Sequence, residues 1–237
     1  MIRSSCLALL LCTGAAAADG HLPVTDSDGL YTLHTLWIEG GSGCGVSDGD
    51  VSDASLGGTT FDQSLDGEWR PGLHAGIEWS RSRLELDGEG WSLGIAVWYD
   101  QAPGRITAAS TPSGPSTVDA DLEVEVLSLA FIPSWTWRFD GEDLARIATR
   151  EWQVEFGPVM AVGAARATVG DGEQSSPGFA WQAGARLRLH AELAGGLRAG
   201  VYLGALWLEA RSEWDNTGVA VFRGFSPIAG LSLGYEL

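Results

Sequence analysis

The sequence predicts an all-β chain: a single closed antiparallel up-and-down transmembrane β-barrel of about eight strands, with long loops on one rim and short turns on the other. Three observations predict it. Apolar residues recur at every second position in runs longer than ordinary strands need. Connections alternate between long polar ones and tight turns. Nothing after residue 18 approaches the roughly eighteen consecutive apolar residues of a membrane helix.

The first residues read as a leader, separate from the fold. Arg3 supplies a positive start, Leu7 to Cys12 a short apolar run, and Ala15 to Ala18 a small-residue cleavage site. The expected organisation is therefore a signal peptide over 1–18, a linker over 19–29 and the barrel over 30–237. The clearest strand is 179–193. Phe179, Trp181, Ala183, Ala185, Leu187, Leu189, Ala191 and Leu193 alternate with small or polar residues that include Arg186, Arg188, His190 and Glu192. The same alternation marks 73–79, 90–100 and 118–126, the last with Asp119, Asp121, Glu123 and Glu125 between apolar neighbours. Weaker versions occupy about 30–39, 150–163, 197–209 and 225–237.

The turns fix registers. Asp87-Gly88 reads as a two-residue turn that sets Leu84 opposite Trp91. Apolar positions are odd up to Trp79 and even from Leu84, so a β-bulge is expected near Arg81-Ser82-Arg83. Ala194-Gly195-Gly196 reads as a three-residue loop that pairs Leu193 with Leu197 and Glu192 with Arg198. The connections near 41–68, 102–117, 170–177 and 215–219 are rich in Gly, Ser, Asp, Thr or Pro and form the long-loop rim. Two aromatic belts are expected. Trp91, Trp135, Trp137, Phe139, Trp152 and Tyr235 lie toward the short turns; Trp37, Tyr99, Phe179, Trp181, Trp207 and Phe225 lie toward the long loops, and Trp79 fits neither cleanly.

Composition excludes several classes. The formal charge is −17, and every basic residue is Arg, so a nucleic-acid partner is not expected. Removal of the leader leaves Cys44 alone, which permits no internal disulfide and no cysteine-rich zinc site. Asp48, Asp50 and Asp53 follow a Gly-rich stretch, but their spacing matches no calcium loop, and a solvated loop is the expectation. No cofactor and no metal are expected.

At the C-terminus Ala229, Leu231, Leu233, Tyr235 and Leu237 are apolar at every second position to the last residue. This resembles the C-terminal strand recognised by the barrel-assembly machinery of outer membranes, with Leu237 where an aromatic is usual. Together with the leader, the chain resembles the small eight-stranded outer-membrane barrel superfamily that includes the barrel of the outer membrane protein A class. The resemblance is architectural. It implies a Gram-negative outer membrane, long extracellular loops, short periplasmic turns, contact with outer-membrane lipid and with the assembly machinery, and a monomer. The rival is a soluble up-and-down barrel of the lipocalin kind, whose apolar face points inward around a ligand.

If the apolar face meets lipid, the lumen holds Glu78, Asp121, Glu123, Glu125, Gln153, Glu155, Arg186, Arg188, His190, Glu192 and Arg198. A lumen of eight strands is narrow and is filled by side chains. Its charges are expected to pair as a structural plug, led by Glu192 with Arg198, rather than to form a gated ion path. The lipid-modifying enzymes of this architecture use a His with a nearby Ser. His21, His34, His74 and His190 show no such spacing, so catalysis is not expected. What remains is a structural or surface-interaction role, with a small porin or uptake channel as the alternative and a lipid-modifying enzyme behind it.

Overall fold

The computed structural model describes residues 30–43, 48–56, 59–67, 70–85, 88–111, 114–116, 120–140, 151–169, 173–214 and 218–237. The expected leader, the linker and Cys44 lie outside these residues. The described chain is almost wholly strand: β1 (Tyr31–Gly43), β2 (Asp48–Leu56), β3 (Thr59–Gly67), β4 (Gly72–Leu84), β5 (Glu89–Thr111), β6 (Gly114–Ser116), β7 (Ala120–Asp140), β8 (Glu151–Val169), β9 (Glu173–Gln174), β10 (Gly178–Ala194), β11 (Leu197–Trp214) and β12 (Gly218–Glu236).

All pairings are antiparallel, and the sheet closes on itself. The ring runs β1-β4-β5-β7-β8-β10-β11-β12 and back to β1, where Leu36 lies opposite Tyr235. β2 meets β12 in the register that β1 already has, with Thr35 opposite Glu236 and Ser52 opposite Val219. β3 likewise stands against β5 above β4. These two strands carry the β1–β4 hairpin upward, so the ring keeps eight members along its height. The segments expected as loops at 41–68 and 102–117 therefore carry ladder. β5 alone has 23 residues, about 75 Å at roughly 3.3 Å per residue, whereas a bilayer crossing takes about 9–11.

Two turn expectations are corrected. Glu85 N–H donates to the Glu89 carbonyl at 2.7 Å, and Leu84 lies opposite Gly90 rather than Trp91. The loop thus holds three residues ending in Gly88, whose φ of 87° suits glycine. That one-residue change removes the need for the bulge near Arg81: β4 runs in unbroken register against both neighbours, and Leu84 is an inward, fully buried residue. In the β10–β11 hairpin Glu192 does face Arg198, but Ala194 pairs with Leu197 and the register shifts between Glu192 and Ala194. Gly195 and Gly196, with φ of 58° and 79°, form a two-residue turn.

Burial decides which face is inside. Leu129, Phe131, Val162, Leu187, Val201, Leu203 and Leu231 are exposed on the outer wall, while Glu39, Glu78, Glu155, Arg186 and Arg188 are buried within. A wall of exposed aliphatic and aromatic side chains around a charged interior inverts a water-soluble protein and is what a lipid solvent selects. The chain is a transmembrane β-barrel, and the lipocalin-like arrangement does not hold.

The inversion stops partway up. Along β7 the outward residues are Trp137, Trp135, Phe131, Leu129 and Leu127, then Glu125, Glu123 and Asp121. The inward ones are Ser134, Ile132, Ala130 and Ser128, then Val126, Val124 and Leu122, the last three at most 6% exposed. The β5–β7 register is unbroken throughout, so the strand does not twist over; its surroundings change. The same boundary falls between Ala164 and Arg166 on β8, between Trp207 and Glu209 on β11, and between Phe225 and Arg223 on β12. Below it lies a lipid-facing storey with a polar interior. Above it stands a storey with a water-facing exterior and an apolar core of Val124, Val126, Ala167, Leu208, Ala210 and Phe222. The expectation that Asp121, Glu123 and Glu125 line the lumen is overturned for this reason. So is the placing of Trp37 in an outer belt: even positions of β1 face lipid, and Trp37 is 1% exposed inside.

Candidate functional site

The lumen of the lower storey holds a charged cluster. Period two in β10 sends Arg186, Arg188 and His190 inward together. Glu39 comes from β1, Glu78 from β4 and Glu155 from β8. In an eight-membered ring β1 stands opposite β8, and β4 opposite β10, so these side chains meet across the full width of the barrel. Arg186 Nη1 donates to Glu39 Oε1 and Oε2 at 2.9 and 3.2 Å and lies 2.9 Å from Glu78 Oε2. Arg188 Nη2 joins Glu39 and Glu78. Its Nη1 reaches Glu78 Oε1 at 3.3 Å and Glu155 Oε2 at 3.2 Å. All five side chains are at most 4% exposed.

Aromatic and small residues support the cluster. The guanidinium of Arg188 stands 4.4 Å over the Trp37 ring, a cation–π contact strengthened by the burial of both side chains. Trp37 Nε1 donates to Ser80 Oγ at 2.9 Å, which fixes the ring. His190 meets that ring edge-on at 4.8 Å and stands 3.7 Å from Glu155. Gly94 has a structural reason: a Cβ there would come within 2.5 Å of Glu78 Oε1. Gly234 clears the Trp37 ring in the same way.

Further pairs lie above and below. His74 Nδ1 and Asp100 Oδ1 are 2.6 Å apart, and Gln182 Nε2 donates to Asp100 Oδ2 at 2.7 Å. Trp98 and Tyr202 pack edge-on against the His74 ring. Toward the short turns Arg198 donates to Gln153 Oε1 at 3.2 Å and to Glu236 Oε2 at 2.9 Å.

Of the sequence-predicted residues, Glu78, Arg186 and Arg188 meet in one cluster with Glu155 and His190. Arg198 is buried, yet its guanidinium goes to Gln153 and Glu236; Glu192 faces it across the ladder and is half-buried. Glu123 and Glu125 sit on the outer wall, where Glu125 accepts the Tyr99 hydroxyl at 2.6 Å. Sequence reasoning missed Glu39, Trp37, Asp100 and Gln182, and it put His74 on the lumen face without its partner Asp100. The signal for Glu39 was its parity: it shares a face with Trp37 and alternates with Leu36 and Ile38. Among the described residues no three His, Cys, Asp or Glu side chains are arranged to hold a metal. What the arrangement does chemically is neutralise and desolvate. Each carboxylate sits against at least one guanidinium, and removing one member would leave uncompensated charge.

No protein-family model matches the sequence, and no curated protein matches it. Among solved structures the chain is similar to the outer membrane protein OprG from Pseudomonas aeruginosa, at 13% identity over 86% of this chain and 97% of that one, with a TM-score of 0.38. It is also similar to Neisserial surface protein A, NspA, at 13% identity over 88% of this chain and 97% of that one, with a TM-score of 0.34. The fold itself is carried by the closed ring of eight strands and by the inverted burial.

Proposed function

We propose that the protein is an outer-membrane barrel with a structural or surface-interaction role: a closed post that holds a water-facing storey above the membrane. The observation that supports this reading is the diametric cluster of Arg186 and Arg188 with Glu39, Glu78 and Glu155. Water-filled pores keep lumen charges solvated; here the five side chains of the cluster are buried and bound to one another, and an apolar core stands above them. In this reading residues 1–18 are removed on export, the short turns face the periplasm, the assembly machinery inserts the chain, and outer-membrane lipid is its standing partner. No catalytic step is assigned.

Planar-bilayer recording of the purified protein tests the central point. The expected result is an unbroken baseline; regular single-channel steps from the wild type would sink the closed-post reading in favour of a channel. Fractionation tests the address. The mature chain is expected in the outer membrane, beginning at Asp19, with a gel mobility that changes on boiling.

A further inference from the structure

The lipid-facing wall carries an arginine where its neighbours carry none. Outward positions on β4 run Leu73, Ala75, Ile77 and Trp79, then Arg81 and Arg83. At the corresponding short-turn ends the outward positions are Trp135 and Trp137 on β7, Val154 and Phe156 on β8, Leu193 on β10, Leu197 on β11 and Leu233 and Tyr235 on β12. All of these are uncharged. Arg81 is exposed and, among the described residues, meets no carboxylate; Glu85 shares its face two outward positions further toward the turn, Glu89 lies across the loop from Glu85, and Glu151 and Glu236 are engaged by Arg138 and Arg198.

Its surroundings are those of a headgroup seat. In the ladder Arg81 has His34 on one side and Leu93 on the other. The next position toward the turn places Arg83 between Thr32 and Trp91. The next position into the membrane places Trp79 between Leu36 and Ile95, and the His34 and Trp79 rings stand 5.6 Å apart. Trp79 and Trp91, 37% and 48% exposed, flank the cation at the depth where indoles favour the membrane–water interface. A guanidinium that meets no carboxylate among the described residues is matched there by the phosphate that ends the apolar layer, which its planar fork can bind through two oxygens.

We propose that Arg81, with His34 beside it and Trp79 and Trp91 around it, binds the phosphodiester of one glycerophospholipid in the leaflet of the short turns. The acyl chains lie along the outer faces of β1, β4 and β5, over Leu36, Ile77 and Ile95. The site needs only the transmembrane fold; a conducting barrel would carry it equally.

The test is native mass spectrometry of the detergent-purified chain with dioleoylphosphatidylglycerol and, separately, with a monoglucosyl diacylglycerol that lacks phosphate. The wild type is expected to retain one phosphatidylglycerol preferentially. Arg81→Gln is expected to lower its occupancy at least fivefold, with the heat-dependent mobility of the folded barrel unchanged. Arg105→Gln, on the upper storey, serves as control and is expected to match the wild type. Equal retention of the glucolipid by the wild type overturns the proposal without reference to any variant, and so does undiminished phosphatidylglycerol on folded Arg81→Gln.

Discussion

At the scale of the residue, Arg188 is the group on which the lumen depends most. It contacts three carboxylates and the Trp37 ring, and it is fully buried. Arg188→Ala would leave Arg186 as the one guanidinium against Glu39 and Glu78, and would leave Glu155 with His190 in place of an arginine. A loss of about 3–5 kcal/mol is expected, read as a fall in the urea midpoint of unfolding from lipid vesicles; an unchanged midpoint would mean the cluster is hydrated. Gly94→Val is expected to act on the same cluster from outside it, displacing the Glu78 carboxylate, and Gly94→Ala to do so more mildly. The sequence made Arg186, Arg188 and Glu78 legible because long unbroken alternation in β10 and β4 sorts them onto one face. It hid Glu39, because period two says which residues share a face and not where that face looks. Placing Trp37 in the belt toward the long loops turns that face outward, and Glu39 lies on the same face.

At the scale of the element, β7 shows the limit most clearly. Its alternation over 118–126 was legible, and its meaning was reversed. Apolar side chains mark the outside where the solvent is lipid and the inside where it is water. The strand crosses that boundary between Leu127 and Glu125 without a break in register. A charge on either side of it should therefore have different effects. Phe131→Arg is expected to cost about 2–4 kcal/mol, as for a cation near the middle of the apolar band. Glu123→Arg, beyond that boundary on the water-facing side, is expected to stay within about 0.5 kcal/mol. Unfolding of the two variants from vesicles under one set of conditions checks the contrast. The turns were legible in kind but one residue out in length. A two-residue loop and a three-residue loop differ only by a shared glycine at positive φ, at Gly88 and at Gly195-Gly196. Gly196→Val is expected to lower refolding yield, since a β-branched residue resists that backbone. Asn at position 195 is expected to be tolerated.

At the scale of the whole molecule, the barrel is taller than the membrane it crosses, and its upper half is built of ladder rather than loop. Amide hydrogen exchange measures this directly. Amides over 102–106 and 121–125 are expected to exchange slowly although water surrounds them; rapid exchange there would restore the loops that the Gly-, Ser- and Pro-rich composition suggested. That composition misled because turn-forming residues on a closed sheet can be held by neighbours on both sides. The number of strands was legible because each carries its own period; the height was not, because it depends on pairing between segments. The seam between β1 and β12 has one more consequence, for the order of events in time. Leu237 N–H donates to the His34 carbonyl at 2.8 Å, joining positions about two hundred residues apart. Every other junction of the ring links successive members of the barrel and can form as soon as both are present. This one must wait for all of them, and by (3/2)RT ln n its closure entropy is about 5 kcal/mol. Until it zips, both bordering strands present open edges and the lumen charges stay wet. The last event of assembly is therefore also the one that dries the interior, and a chain halted just before it would be a sheet rather than a narrower barrel.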